Sequence, residues 1–118
     1  MNFKYFANRP TEVTAEFIRE QFAELTTRIA AAESAETAAA WLELYADWNA
    51  LKSFTDSEGS RRSHEQSKDM NDPAREESYR YFREEVRPVA ENGNSELLAA
   101  LLGSRWRDAV GERYGSHL

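Results

Sequence analysis

Apolar residues recur at three- and four-residue steps along most of the chain, which is the spacing of one face of an α-helix. In the first segment this spacing predicts a helix that begins near Thr11 or Thr14, either of which can be its N-cap, and ends at about Ala32. Its apolar face consists of Ile18, Phe22, Leu25, Ile29 and Ala32.

The stretch 34–54 has the strongest pattern, and the other helices are predicted to cover it. Its apolar stripe consists of Trp41, Leu44, Tyr45, Trp48 and Leu51. At helical spacing such a stripe is typical of a core, and a ligand groove lined by Trp41, Tyr45 and Trp48 is the alternative. Ser34 can be the N-cap. Because the link after Ala32 is short, the first two helices are predicted to form an antiparallel hairpin.

The pattern stops between Thr55 and Asn71, where Met70 is the only large apolar residue and Gly59 lies among serines and charged side chains. Such a stretch buries too little apolar surface to offset the entropy lost on ordering it. The sequence therefore favours a mobile polar connection over residues 55–71, with a continuous helix as the alternative.

Two further helices are predicted after this connection. Asp72 and Pro73 are an N-cap and a first helical residue, and Pro88 is expected to end or kink the third helix close to Arg87. Asn92–Gly93–Asn94 predicts a turn, after which Ser95 can cap a leucine-rich fourth helix that is expected to break near Gly103. The face of the third helix consists of Tyr79, Phe82, Val86 and Val89.

These elements predict an all-α fold, a small antiparallel bundle of about four helices with the last one broken near Gly103. Residues 1–118 are predicted to form a single domain. Residues 1–10, which contain Phe3, Tyr5 and Phe6, are predicted to be an N-terminal arm that packs on the bundle or docks on a partner.

Charge and composition restrict the function. The net charge is −6, from 21 acidic and 15 basic residues, which argues against a nucleic-acid or anionic-membrane binder. The absence of cysteine excludes disulfides and thiol catalysis.

Residues 1–10 lack the apolar core of a signal peptide, and no apolar run approaches the length of a membrane span. We expect a soluble cytoplasmic protein with a protein partner or a second copy of itself, and no cofactor.

His64–Glu65 is the residue pair closest to a catalytic motif. In the zinc-peptidase motif HExxH, two histidines one helical turn apart bind zinc and the glutamate activates a water molecule. Here Lys68 stands at the position of the second histidine, and the only other histidine is His117. The sequence therefore predicts no zinc site and no catalytic residue.

Two other groups of charged residues are better explained as solvated surface. The carboxylate pairs Glu76/Glu77 and Glu84/Glu85 are adjacent in sequence, so the members of each pair diverge around a helix. Arg61–Arg62 can form a small anion contact, but it lies in the predicted polar connection. The five glycines are scattered, which excludes a glycine-rich phosphate loop.

Several short motifs follow one another between residues 37 and 115. They are W-N-A-L-K-S from Trp48 to Ser53, N-D-P from Asn71 to Pro73, Tyr79 and Phe82, Pro88, L-L-A-A-L-L-G-S from Leu97 to Ser104, Trp106, and Tyr114–Gly115. Their order resembles the N-terminal helical region of the oligoendopeptidase F family of zinc metallopeptidases. The resemblance implies helices that form one wall of a channel for short peptides, while the zinc and its HExxH motif belong to a later catalytic region.

The resemblance makes a continuous helix over residues 55–71 more plausible, because the corresponding family region is largely helical. It implies no catalytic residue at any position of this sequence. The first hypothesis is a non-catalytic helical domain that contacts a catalytic partner chain or another copy of itself. The alternative is a self-contained helical adaptor or regulator unrelated to peptidases, and a small enzyme is the least supported.

Overall fold

The computed structural model describes residues 13–34 and 39–106. Three helices account for most of this part, namely α1 (Ala15–Glu33), α2 (Ala39–Lys68) and α3 (residues 73–102). The third helix consists of the α-helical stretches Pro73–Tyr81 and Arg87–Leu102, joined without a break by a π-helical turn, Phe82–Val86. The described residues contain no strand, so the all-α prediction is confirmed, but these residues form three long helices where the sequence predicted about four.

The first helix matches its prediction closely. Thr14 is the N-cap, and its hydroxyl oxygen accepts the Phe17 N–H at 3.1 Å. The five residues of the predicted apolar face are all buried. Ser34 is the C-cap of this helix, and its hydroxyl donates to the Ala31 carbonyl at 2.9 Å. Residues 35–38, where the second helix was predicted to start, and the predicted arm at residues 1–10 lie outside the described residues.

The predicted loop over residues 55–71 is wrong, because α2 continues to Lys68 and only a short connection precedes Pro73. Tertiary contacts explain the difference. The helix buries the small and polar residues Thr55, Glu58, Gly59 and Arg62, which the apolar pattern does not count. The alternative of a continuous helix is therefore the correct one.

Neither Pro88 nor the Asn92–Gly93–Asn94 sequence interrupts α3. Proline lacks an N–H, and its ring clashes with the carbonyl four residues earlier in a regular α-helix. Here the π-helical turn ends at Val86, two residues before Pro88, and the Arg87 N–H donates to the Phe82 carbonyl five residues earlier. We infer that this wider turn lets the helix pass Pro88 without ending.

The N-cap of α3 was predicted correctly. The Asp72 carboxylate accepts the Ala74 N–H at 3.0 Å, and Pro73 is the first helical residue. Ser95 lies inside this helix and not at an N-cap. The helix ends at Leu102 and is followed by a turn at Gly103, where the sequence predicted a break.

The helices pack with α2 antiparallel to both neighbours. Near the start of α1, Val13 contacts Arg62 of α2, and towards its end Arg28 contacts Asp47. By contrast α1 and α3 run parallel, because Ala15 bonds to Tyr81 and Glu33 bonds to Arg105 just beyond α3. The predicted antiparallel bundle is therefore only partly right. None of the helices within residues 13–34 and 39–106 is both long and apolar enough to cross a membrane.

Two glycines allow aromatic rings of neighbouring helices to lie against a helix backbone. A Cβ atom on Gly59 would be 2.5 Å from the Phe82 ring, and one on Gly93 would be 2.6 Å from the Phe22 ring. Both distances are far below a normal contact between carbon atoms. This packing explains why the apparent turn residue Gly93 lies inside a helix.

We expect Gly59→Ala and Gly93→Ala each to lower the free energy of unfolding by about 1–3 kcal/mol, the usual cost of overpacking. On helix propensity alone, alanine would instead stabilise by about 1 kcal/mol. Gly103→Ala is the control, because a Cβ there meets no atom closer than 3.7 Å. Chemical denaturation of the three variants measures the difference. A stabilised Gly93→Ala variant would contradict this packing.

Candidate functional site

The most buried charged residue of the described chain, Glu58, lies in a cluster with Arg61 and Arg62 on α2. The Glu58 side chain accepts hydrogen bonds from Arg62 Nε at 3.0 Å and from Arg61 Nη2 at 2.5 Å. Glu58 and Arg62 are 2% and 6% exposed. Isolated charges at such depth are strongly unfavourable, so the two groups depend on each other.

Arg62 also connects α2 to the other two helices. Its Nη2 donates to the Val13 carbonyl at 2.7 Å, and its Nη1 donates to the Ser78 carbonyl at 3.4 Å. The guanidinium carbon lies 6.0 Å from the centre of the Tyr81 ring, and the Tyr81 hydroxyl accepts the Ala15 N–H at 2.9 Å. Because its N–H groups make these hydrogen bonds, Arg62 stabilises the fold. It is not free to bind an anion.

The carboxyl group of Glu58 has a pKa below its usual range. Burial acts to raise this pKa, but hydrogen bonds from Arg61 and Arg62 and the attraction of their charges outweigh it. A carboxyl whose pKa is lower in the folded chain stabilises the fold above its unfolded pKa, and this contribution is lost as the pH falls through the folded pKa.

We therefore expect part of the acid sensitivity of this protein to come from Glu58. Between about pH 7 and pH 3 the free energy of unfolding should decline less steeply in Glu58→Gln than in the native sequence, because the variant has no carboxyl to protonate there. Urea denaturation at several pH values tests this. Parallel declines in both proteins would assign the acid sensitivity to other groups.

His64 and Glu65 lie near the C-terminal end of α2, at the protein surface. His64 is exposed, and the Glu65 carboxylate accepts a hydrogen bond from Lys68 Nζ at 3.1 Å. That hydrogen bond, together with the charge of Lys68, lowers the pKa of Glu65. A zinc ion would need a ligand with a free lone pair at this position, and the protonated amino group of Lys68 has none. These residues therefore do not fit the metal of a zinc peptidase.

The carboxylate pairs are not assembled into an acid–base site. Glu76, Glu77, Glu84 and Glu85 are all exposed, and Glu77 forms an ion pair with Arg80. Within residues 13–34 and 39–106, no group of three or more histidine, aspartate or glutamate side chains is placed to hold a metal ion.

The aromatic stripe of α2 divides between the core and the surface. Trp41 is 1% exposed and belongs to the core. Trp48 is half-buried, and its indole N–H donates to Asn94 Oδ1 on α3 at 2.7 Å. Tyr45 is 45% exposed. Of these three aromatic residues, Trp41 therefore belongs to the core and Trp48 forms a contact between two helices. Only Tyr45 is exposed to solvent to a large extent.

A groove of about 710 Å³ runs between α2 and α3 and reaches Phe22 of α1 at its base. Its walls alternate in charge, with Lys52 and Asp56 on α2 and Arg87 and Glu91 on α3. Hydroxyl side chains, His64, Asn94 and the apolar residues Phe82 and Ala90 line most of the remainder. This mixture of charges selects no single class of small ligand.

Sequence reasoning missed the Glu58–Arg62 cluster. The signal was present, because Glu58 and Arg62 are four residues apart and continue the buried face from Leu44 and Leu51. A search for apolar residues alone passes over them. The anion contact considered as a minor alternative for Arg61–Arg62 is not supported, since both side chains are bonded to Glu58.

Comparison with known proteins identifies the family. A sequence model of the Peptidase M3 N-terminal domain matches residues 6–118, nearly the whole chain. No curated protein and no solved structure matches the chain. The family match agrees with the resemblance noted in the order of the sequence motifs and with the helical fold. The chain therefore belongs to the family of the peptidase M3 N-terminal domain.

Proposed function

We propose that this chain is a non-catalytic helical domain that acts by contact with the catalytic region of an M3 peptidase. The family match over residues 6–118 is the observation that carries this proposal, because it covers the N-terminal domain of such a peptidase. The site geometry supports it. The one residue pair that resembles part of a zinc motif, His64–Glu65, is followed by Lys68, which bonds to Glu65.

Binding to a separately produced catalytic region tests the proposal. The chain is analysed by size-exclusion chromatography with light scattering, alone and mixed with the catalytic region of an M3 peptidase from the same organism. We expect a complex of defined stoichiometry, and a change in peptide hydrolysis by the catalytic region when the chain is added. A monomer that neither binds nor affects hydrolysis would instead favour the adaptor hypothesis.

We expect the isolated chain to bind no stoichiometric zinc and to hydrolyse no peptide, because Lys68 replaces the second histidine that a zinc motif needs. Elemental analysis after purification without chelators measures the metal, and a fluorogenic peptide measures hydrolysis. The control is His64→Ala. Stoichiometric zinc that disappears in this variant would contradict the prediction.

The place of action is proposed to be the cytoplasm. The sequence contains no cysteine, a composition that suits a reducing compartment, where disulfides rarely form. Fractionation of cells with an antibody against the chain tests this proposal, and recovery in an extracellular or envelope fraction would contradict it.

A further inference from the structure

Asn92 is followed by glycine, and no other asparagine of the sequence is. Asparagine deamidates when the backbone nitrogen of the next residue attacks its side-chain amide, a reaction that makes asparagine one of the less durable residues. A following glycine hinders this attack least, because it has no Cβ and a flexible backbone. Asn92–Gly93 is therefore the pair in this sequence that is most prone to deamidation.

The packing of α1 against α3 requires the glycine of this pair. The Phe22 ring is 6% exposed and lies against the backbone of α3. A Cβ atom on Gly93 would be 2.6 Å from that ring, so a larger residue would have to displace it. The contact between the two helices therefore keeps a glycine beside Asn92.

The helix also keeps the two reacting groups of the pair apart. Asn92 and Gly93 lie inside the helical stretch Arg87–Leu102, where the Gly93 N–H is held in the hydrogen-bonding pattern of the helix. Helical dihedral angles at Asn92 do not allow its side-chain carbon to reach the Gly93 nitrogen and close a five-membered ring.

Two hydrogen bonds stabilise the helix at this level. Asn92 Nδ2 donates to Glu96 Oε1 at 3.4 Å, and Trp48 Nε1 of α2 donates to Asn94 Oδ1 at 2.7 Å. Together with the Phe22 contact they connect this turn of α3 to both other helices. Opening of the turn therefore requires these contacts to break.

We propose that Asn92 is a deamidation site that reacts only when this turn of α3 opens. The Gly93 nitrogen then forms a bond to Cγ of Asn92, the Cγ–Nδ2 bond breaks, and ammonia leaves with the proton of the Gly93 N–H. Water opens the cyclic imide at one of its two carbonyl carbons, which leaves aspartate or isoaspartate at position 92. Water is the only other reactant, and it reaches Asn92 because this side chain is exposed.

The products oppose closure of the helix. An aspartate at position 92 places a second carboxylate one turn from Glu96, where the native amide donates a hydrogen bond, and like charges at this spacing destabilise a helix. Isoaspartate adds one carbon atom to the main chain and so disrupts the regular helical hydrogen bonds on both sides of it. Deamidation at Asn92 therefore marks irreversibly the chains in which α3 has opened.

Asn71 is an internal reference for this reaction. It is exposed, lies in the connection between α2 and α3, and precedes Asp72. Because it is outside both helices, its deamidation does not require a helix to open. Mass spectrometry of proteolytic peptides measures both asparagines in the same sample.

The first experiment compares the folded chain with the chain unfolded in urea, both incubated at neutral pH. We expect Asn92 to deamidate at least about tenfold more slowly in the folded chain, because only the opened fraction reacts. In the unfolded chain Asn92 should react before Asn71. Equal rates at Asn92 in the two states would overturn the proposal.

The second experiment weakens the packing on Gly93 without changing the reacting pair. Phe22→Leu removes the aromatic ring, and circular dichroism first confirms that the variant is helical. We expect deamidation at Asn92 to become at least about threefold faster and that at Asn71 to stay unchanged. The control Met70→Leu, at an exposed position, should alter neither rate. An unchanged rate at Asn92 in a folded Phe22→Leu chain would contradict the proposal.

Hydrogen exchange of the native chain gives a measurement that needs no variant. If opening limits the reaction, the Gly93 amide should be protected from exchange by a factor similar to the slowing of deamidation at Asn92. A slow reaction at Asn92 beside an unprotected Gly93 amide would also overturn the proposal, because the helix would then be open without reacting.

Discussion

Replacing Arg62 by alanine is expected to lower the free energy of unfolding by about 3–5 kcal/mol, because it removes the buried ion-pair partner of the Glu58 carboxylate. The substitution also removes the donors to the Val13 and Ser78 carbonyls, so contacts between all three helices weaken together. Urea denaturation followed by circular dichroism measures the change.

Arg61→Ala is the matched control for this prediction. Arg61 bonds to the same carboxylate as Arg62, but its side chain is 51% exposed. An ion pair open to solvent contributes at most about 1 kcal/mol. If the two arginine variants were equally destabilised, the contacts of Arg62 with the other helices would contribute little, and the cluster would be a local feature of α2.

Trp41→Ala is expected to cost about 3–5 kcal/mol, the range observed for the removal of a large buried aromatic side chain. The matched variant Trp48→Ala should cost less, about 1–3 kcal/mol, because Trp48 is only half-buried and loses one hydrogen bond to Asn94. Both proteins retain two tryptophans, so fluorescence and circular dichroism remain usable. A larger loss in Trp48→Ala would mean that the core lies on the Trp48 side of the stripe.

The architecture suggests how the domain can work as a rigid unit. The two long helices, α2 and α3, are held together at one end by Arg62 and further along by Trp48 and Asn94. The first helix packs against both and closes one side of the pair. A scaffold of this kind can contact another protein without the cost of ordering its helices on binding.

The sequence by itself determined the all-α class, the first helix with its Thr14 cap, and the start of α3 at Asp72–Pro73. These features depend on apolar periodicity and on capping, which act within a few residues of the chain. The order of the short motifs also indicated the family, because it does not require knowledge of the packing.

Only the tertiary structure decided where α2 and α3 continue. Polar composition over residues 55–71 predicted a loop, yet Glu58 and Arg62 order most of this stretch by binding each other and, through Arg62, the neighbouring helices. The local turn signal at Gly93 was overridden because the missing Cβ admits the Phe22 ring. The division of the stripe between Trp41 and Tyr45 likewise depends on the partner helices. Contacts between residues far apart in sequence leave no local pattern, so periodicity alone could not reveal them.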